Sequence, residues 1–167
     1  VAERINTLAS SQLVAPQEEW IKCRLAIAEI LGSSSLSDGI ARTLEIVEHI
    51  VDRHVDLDVE VFCLARAWLA LNRMGTRVDD PALLNVRSRF QIRLNELLKS
   101  SAEHLELLDE TIGMLTEIDP AVSLITASLL NTRSRRSMAT ISILMQLARH
   151  KMAEDVASPM VDALSML

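Results

Sequence analysis

The densest group of possible metal ligands lies in residues 45–60, EIVEHIVDRHVDLDVE. Its carboxylates and imidazoles are Glu45, Glu48, His49, Asp52, His54, Asp56, Asp58 and Glu60. A di-iron helical bundle requires Glu-x-x-His pairs, and none of the four histidines has a glutamate three residues before it. The run from Asp56 to Glu60 also lacks the glycine and the length of an EF-hand calcium loop. The stretch therefore predicts a solvated acidic helix face, and we expect no metal or other cofactor.

Motifs for covalent catalysis and for phosphate binding are missing from the sequence. No serine lies in a Gly-x-Ser-x-Gly elbow, and the four glycines are too far apart to form a phosphate-binding loop. Cys23 and Cys63 lie in segments with helical apolar spacing and form no Cys-x-x-Cys pair. We expect both to be buried, reduced thiols, while a disulfide between them stays open. These patterns predict a protein that is not an enzyme and that resides inside the cell.

The stretch NTRSRRS, residues 131–137, places three arginines among small polar residues. Together with other closely spaced cations, they are candidates for binding an anion or a partner: Arg133, Arg135, Arg136, Arg149, Lys151, Arg89 and Arg93. Seven consecutive polar positions offer no apolar face, so we expect a turn there rather than one helix from Pro120 to Ala157. The alternative interpretation is a solvated corner between two helices.

The sign of the charge alternates along the chain, although the formal net charge is −6. Residues 1–60 carry 5 basic and 11 acidic side chains, whereas residues 61–99 carry 7 and 3. Residues 100–130 carry only acidic charges and residues 131–151 only basic ones. Either the blocks cancel through surface ion pairs between neighbouring helices, or they collect on separate faces that bind an anionic surface or another copy. The order of the helices alone does not separate these alternatives.

Helix-capping residues divide the chain into short segments. Signals for a helix start occur at Pro16, at Ser37 with Asp38, at Asp56, at Asp80 with Pro81, at Ser101, at Asp119 with Pro120, and at Ser158 with Pro159. Gly32 and Gly75 stand where left-handed C-terminal caps are expected. No segment alternates with the period of a strand. The sequence predicts an all-α fold, an irregular antiparallel bundle of about seven to eight helices in one domain, residues 1–167, either complete or a piece of a longer chain.

Apolar residues recur at helical spacing and predict the buried faces. Three faces are expected to be buried: Ile40, Leu44, Val47 and Val51; Leu83, Val86, Phe90, Leu94 and Leu97; and Leu105, Leu108, Ile112 and Leu115. Residues 61–72, VFCLARAWLALN, are apolar on nearly every side and predict a central helix that buries Leu64, Trp68 and Leu71. At the end of the sequence, an apolar set is a candidate partner contact: Met160, Val161, Leu164 and Leu167.

These observations favour a non-enzymatic helical domain that assembles with itself or docks a protein partner. A second hypothesis is an assembly protein of the viral matrix or nucleoprotein type, whose arginines contact lipid headgroups or a nucleic-acid backbone without sequence specificity. A third is a bundle that holds an apolar ligand or cofactor. No apolar run reaches the length of a membrane span, so we expect a soluble, cytoplasmic protein without a transmembrane segment.

Overall fold

The computed structural model describes residues 17–53, 55–99, 107–127 and 143. The chain divides into two compact units, Val1–Arg93 and Leu94–Leu167. The described residues contain helices and no strand, which confirms the predicted all-α fold class for that part of the chain.

Six helices occupy most of the described residues. They are α1 (Gln17–Ser34), α2 (Leu36–Asp52), α3 (Leu57–Arg73), α4 (Pro81–Lys99), α5 (Leu108–Ile118) and α6 (Pro120–Ala127). The predicted helix starts at Ser101 and Ser158 lie outside the described residues, as does the turn expected at residues 131–137.

The predicted starts of α4 and α6 are confirmed, and the same local chemistry produces both. An aspartate precedes each proline, and its carboxylate accepts a hydrogen bond from a first-turn N–H. Asp80 Oδ1 accepts from the amide of Ala82 at 2.8 Å, and Asp119 Oδ1 accepts from the amide of Val122 at 3.2 Å. Proline fits the position after the cap because the first helical residues need no N–H donor inside the helix.

The end of α3 is the left-handed cap that Gly75 predicts. Gly75 has a φ of 78°, and its amide donates to the carbonyl of Asn72 at 3.0 Å. The amide of Thr76 donates to the carbonyl of Leu71 at 3.1 Å, which completes a Schellman motif. The same prediction is wrong for Gly32, which lies inside α1.

The core of the first unit is organised around α3. Leu64, Trp68 and Leu71 are all buried, as predicted, and the Trp68 side chain keeps only 4% of its exposure. Helices α1 and α2 both pack on α3, and the ring of Phe90 in α4 lies 5.8 Å from that of Trp68. A helix that is apolar on nearly every side is thus surrounded by other helices, because only burial on all sides removes its apolar surface from water.

The predicted buried face of α2 is displaced by about one residue. Of the expected set only Val47 is buried, while Ile40, Leu44 and Val51 are half-buried. The residues that do face inward are Gly39, Thr43, Ile46, Val47 and Ile50. The prediction used only the large apolar residues, so it missed Gly39 and Thr43 on the buried face. The Thr43 hydroxyl can be buried because it donates to the carbonyl of Gly39 at 2.9 Å.

The described part of the second unit contains the last residues of α4, helices α5 and α6, and Ile143. Leu94, Leu97, Leu108, Ile112 and Leu115 are buried as predicted, whereas Leu105 lies outside the described residues. Helices α5 and α6 pack together, and their contact contains buried hydroxyl groups. The Ser123 hydroxyl donates to the carbonyl of Ile112 at 3.0 Å and lies 2.7 Å from the hydroxyl of Thr116.

Both cysteines are free thiols, so the disulfide that their spacing left open is not formed. Cys63 is buried in α3, as expected. Cys23 is exposed, which corrects the prediction of a buried thiol. The buried residues Ile21, Leu25 and Ala28 lie on the opposite side of α1 from Cys23. The apolar residues near Cys23 in the sequence therefore form a buried face to which Cys23 does not belong. None of the described helices has the length and hydropathy needed to cross a membrane.

Candidate functional site

Three arginines of α4 are engaged within the first unit. The guanidinium of Arg89 lies 2.8 Å from a carboxylate oxygen of Glu48 in α2. Arg93 donates through Nε to Glu60 Oε1 in α3, also at 2.8 Å. Arg87 lies above the Trp68 ring, with its guanidinium carbon 5.5 Å from the ring centroid. Arg89 and Arg93, which the sequence marks as candidate partner contacts, therefore hold α4 against α2 and α3.

A second set of ion pairs joins α1 to α3. Arg66 Nη1 lies 2.9 Å from Glu29 Oε1, and the two side chains keep only 14% and 21% of their exposure. The approach is close enough for an ion pair, but the N–H is not aligned on the oxygen, so charge attraction rather than a directed hydrogen bond holds it. Arg73 lies 3.9 Å from the other oxygen of Glu29.

The sequence signal for the Glu29–Arg66 pair is the arginine itself. Arg66 is the only charged residue in the apolar stretch 61–72. If that stretch forms a central, buried helix, the charge of Arg66 needs a carboxylate nearby. Nothing local identifies Glu29 as that carboxylate, since the two residues lie on different helices. The partner therefore becomes visible only in the tertiary structure.

These contacts bear on the alternating charge blocks. Glu29, Glu48 and Glu60 belong to the acidic block 1–60, and their arginine partners belong to the basic block 61–99. Within the first unit, the first two blocks thus neutralise each other through pairs between neighbouring helices. The blocks from residue 100 onward lie largely outside the described residues.

The described acidic and histidine side chains of residues 45–60 do not gather around a common site. Glu45 pairs with Arg42 on its own helix, and the ring of His49 lies 5.2 Å from that of Trp20. Asp56 is the N-cap residue of α3, and Asp58 Oδ1 accepts from the amide of Val59 at 2.8 Å. His54 lies outside the described residues. Among the described residues, no three His, Cys, Asp or Glu side chains are grouped so that they could hold a metal ion.

The outer face of α4, defined here as Leu84, Asn85, Ser88, Gln91 and Ile92, is the most distinctive surface of the first unit. All five side chains are exposed, Leu84 to 48% and Ile92 to 55%. From Pro81 to Ile92, every residue of which is described, no fully exposed position carries a charge. The exposed side of α2 is different, because Asp38, Glu45 and Asp52 all lie on it. Sequence periodicity had indicated only the buried side of α4.

The outer face of α4 contains no charged residue, and the arginines that flank it extend away from it. Arg87 and Arg89 are half-buried and reach sideways to an aromatic ring and a carboxylate of other helices. What stays in contact with water is two large aliphatic chains, two amides and a hydroxyl. Such a surface can form hydrogen bonds and bury apolar area without the cost of removing a charge from water.

The thiol of Cys63, in the first unit, has a strongly raised pKa. Burial raises the pKa of the Cys63 thiol to about 12, and the carboxylate of Glu60 adds to the rise. The thiol is therefore protonated at neutral pH and is a poor nucleophile.

Several candidates from the sequence lie outside the described residues. They are the cations Arg133, Arg135, Arg136, Arg149 and Lys151 and the apolar residues Met160, Val161, Leu164 and Leu167.

Comparisons with models of protein families, with curated proteins and with solved structures find no match to this chain.

Proposed function

We propose that this chain is a non-enzymatic, intracellular helical domain, a bundle of seven to eight helices, that assembles with itself or docks a protein partner. The observation that supports this proposal is the uncharged outer face of α4. Charged side chains are depleted from the cores of protein interfaces, and a helix face without them is suited to contact. The two exposed aliphatic side chains, Leu84 and Ile92, supply apolar area for such a contact.

The ion pairs of the first unit support the same proposal indirectly. The charges of Arg89 and Arg93 are already paired with Glu48 and Glu60, so those carboxylates would weaken a contact with lipid headgroups or a nucleic-acid backbone. A contact through amides and aliphatic groups leaves them in place. The second hypothesis, an assembly protein that binds anionic surfaces, then depends on Arg133, Arg135, Arg136, Arg149 and Lys151.

Sedimentation velocity over a range of protein concentrations tests the proposal. We expect the sedimentation coefficient to rise with concentration, and to keep rising in about 0.5 M salt, because apolar and amide contacts are not screened by ions. Retention on heparin or on anionic vesicles that is lost at the same salt concentration would instead favour the second hypothesis. A monomer at every concentration would remove the support for self-assembly and leave only a separate protein partner.

A further inference from the structure

The thioether of Met74 lies in a notch between α1 and α2 that is formed by Gly32 and Gly39. The Met74 sulfur is 2.6 Å from the position that a Cβ atom on Gly39 would occupy, and a Cβ atom on Gly32 would overlap it. Cγ of the same side chain is 2.7 Å from that Cβ position on Gly32. Each glycine thus leaves the space of a side chain empty, and the thioether of Met74 fills both spaces.

The backbone of Met74 is held on both sides of the residue. Its amide donates to the carbonyl of Ala70 at 3.0 Å, in the last turn of α3. The Schellman motif at Gly75 and Thr76 follows directly. The main chain therefore cannot carry the side chain out of the notch without breaking these hydrogen bonds. A chemical change at the sulfur has to be accommodated by rotation within the side chain or by movement of α1 and α2.

Met74 lies where a small oxidant can reach it. The residue is half-buried, and its neighbours Arg73 and Gly75 are exposed. The chain has seven methionines, and the structure describes two of them, Met74 and Met114. Met114 is buried in α5. An oxidant must approach the sulfur atom to react with it, so Met74 is expected to react before Met114 in the folded protein.

A methionine sulfoxide does not fit the notch. Oxidation adds an oxygen atom and converts an apolar thioether into a polar group that requires a hydrogen bond. The notch offers no free donor, because both glycines lie within helices and the amide of Gly39 already donates to the carbonyl of Ser35 at 3.0 Å. The oxygen would therefore stay unpaired, or the side chain would turn into water and leave the notch empty. Either outcome weakens the contact among α1, α2 and α3.

From these contacts we infer that Met74 is a reversible oxidation site whose sulfoxide loosens the junction of α1, α2 and α3. The oxidant is a hydroperoxide. A lone pair of the sulfur attacks one peroxide oxygen, the O–O bond breaks, and the proton passes to the departing oxygen, which leaves as water or an alcohol. Sulfur loses two electrons and the peroxide gains them, and a methionine sulfoxide reductase reverses the change. The inference goes beyond the proposed function and does not depend on any partner.

Peroxide treatment of two matched chains tests the inference. One keeps Met74 and the other carries Met74→Leu, and both carry Cys23→Ser so that the exposed thiol does not react. We expect hydrogen peroxide to lower the melting temperature of the first chain by about 2–5 °C more than that of the second. Methionine sulfoxide reductase with a dithiol should remove this difference. Mass spectrometry of peptides measures the oxidation of each methionine.

Gly32→Ala separates the reaction from its consequence. The new methyl group would overlap the Met74 sulfur and displace the side chain from the notch. Met74 should then be oxidised faster, and its oxidation should lower the melting temperature less, because the sulfoxide forms outside the notch. Gly113→Ala is the control, since nothing lies within 4 Å of its new Cβ atom. In that variant, Met74 should react at the same rate as in the unaltered chain and with the same loss of stability.

Three outcomes would overturn the inference. Equal losses of melting temperature with and without Met74→Leu would assign the sensitive contact to another methionine. Oxidation of Met74 no faster than that of Met114 in the folded protein would contradict its accessibility. An undiminished loss of stability on oxidation of Gly32→Ala would show that the sulfoxide does not act through the notch. Self-association is measured on the reduced protein, so none of these results contradicts the proposed function.

Discussion

The Cα atom of Gly32 lies 2.5 Å from the position that a Cβ atom on Gly39 would occupy. Helices α1 and α2, joined only by Ser35, thus approach each other so closely that Gly39 has no room for a methyl group. The sulfur of Met74, from the end of α3, lies 2.6 Å from the same position. Three helices therefore meet at this point.

We expect Gly39→Ala to destabilise the protein by about 1–3 kcal/mol, because the new methyl group would overlap backbone atoms of α1 that cannot move independently. Gly32→Ala should cost less than Gly39→Ala. The atoms nearest to its new methyl group belong to the flexible side chain of Met74. Urea unfolding measures both changes.

The control for Gly39→Ala is Gly113→Ala, also within a helix. Nothing lies within 4 Å of a Cβ atom at Gly113, and the residue is exposed. This substitution should stabilise the protein by about 0.5–1 kcal/mol, because alanine loses less backbone entropy than glycine on forming a helix. Equal effects at Gly39 and Gly113 would contradict the close approach of α1 and α2.

Trp68→Ala should lower the free energy of unfolding by about 3–5 kcal/mol. The side chain is buried against Phe90, and its removal leaves a cavity and takes the aromatic ring away from Arg87. Urea unfolding followed by circular dichroism gives the value. A loss below about 1 kcal/mol would contradict the central position of α3.

Arg66→Met should destabilise the protein by about 3 kcal/mol, because it leaves the shielded Glu29 carboxylate without its nearest positive charge. The double variant Arg66→Met with Glu29→Met should lose less than the sum of the two single variants. A double-mutant cycle by urea unfolding measures the difference.

Arg77→Met provides the comparison for the Glu29–Arg66 pair. Arg77 pairs with Asp79 at 3.1 Å, but both side chains are strongly exposed. Its removal should cost less than about 1 kcal/mol, since water and salt screen an exposed pair. Equal losses for Arg66→Met and Arg77→Met would show that burial adds nothing to the importance of the former pair.

Cys63 should make the stability fall as the pH rises from 9 towards 12. The pKa of the thiol is raised to about 12 by burial, against 9.0 for the exposed group. Between these values the unfolded chain releases the proton and the folded chain keeps it, so the free energy of unfolding decreases by up to about 1.4 kcal/mol per pH unit.

Cys63→Ala isolates this effect from other titrations. The stability difference between the unaltered chain and Cys63→Ala should move in favour of the variant as the pH rises above 9. At pH 8, a thiol reagent should modify the exposed Cys23 and spare Cys63 until the protein unfolds. Rapid modification of both thiols in the folded protein would contradict the burial of Cys63.

Reversal of three arginines tests the hypothesis of an anionic partner. Arg133, Arg135 and Arg136 replaced together by Glu should abolish binding to anionic vesicles or nucleic acid if these residues form the contact. Helical content and melting temperature should then change little, because exposed charges contribute little to the fold. Unchanged self-association and unchanged binding would identify the stretch as a solvated corner.

Much of the local structure follows from the sequence alone. The Asp-Pro pairs at Asp80 and Asp119 predict the starts of α4 and α6, and Gly75 predicts the end of α3. These signals act over one helical turn, so the tertiary fold does not need to be known. The burial of α3 follows for a related reason, since a helix with apolar residues on nearly every side is stable only when other helices cover it.

The rest was decided by contacts between residues on different helices. The rotation of α2 depends on the close approach of Gly39 to Gly32, and the position of Cys23 depends on which side of α1 faces α3. The partners of Arg66, Arg89 and Arg93 are carboxylates on other helices, and no spacing within one helix identifies them. The exposure of Leu84 and Ile92 likewise depends on which side of α4 the other helices cover. Periodicity shows that a helix has two sides, but only the packed helices determine which charges meet and which surface is left in water.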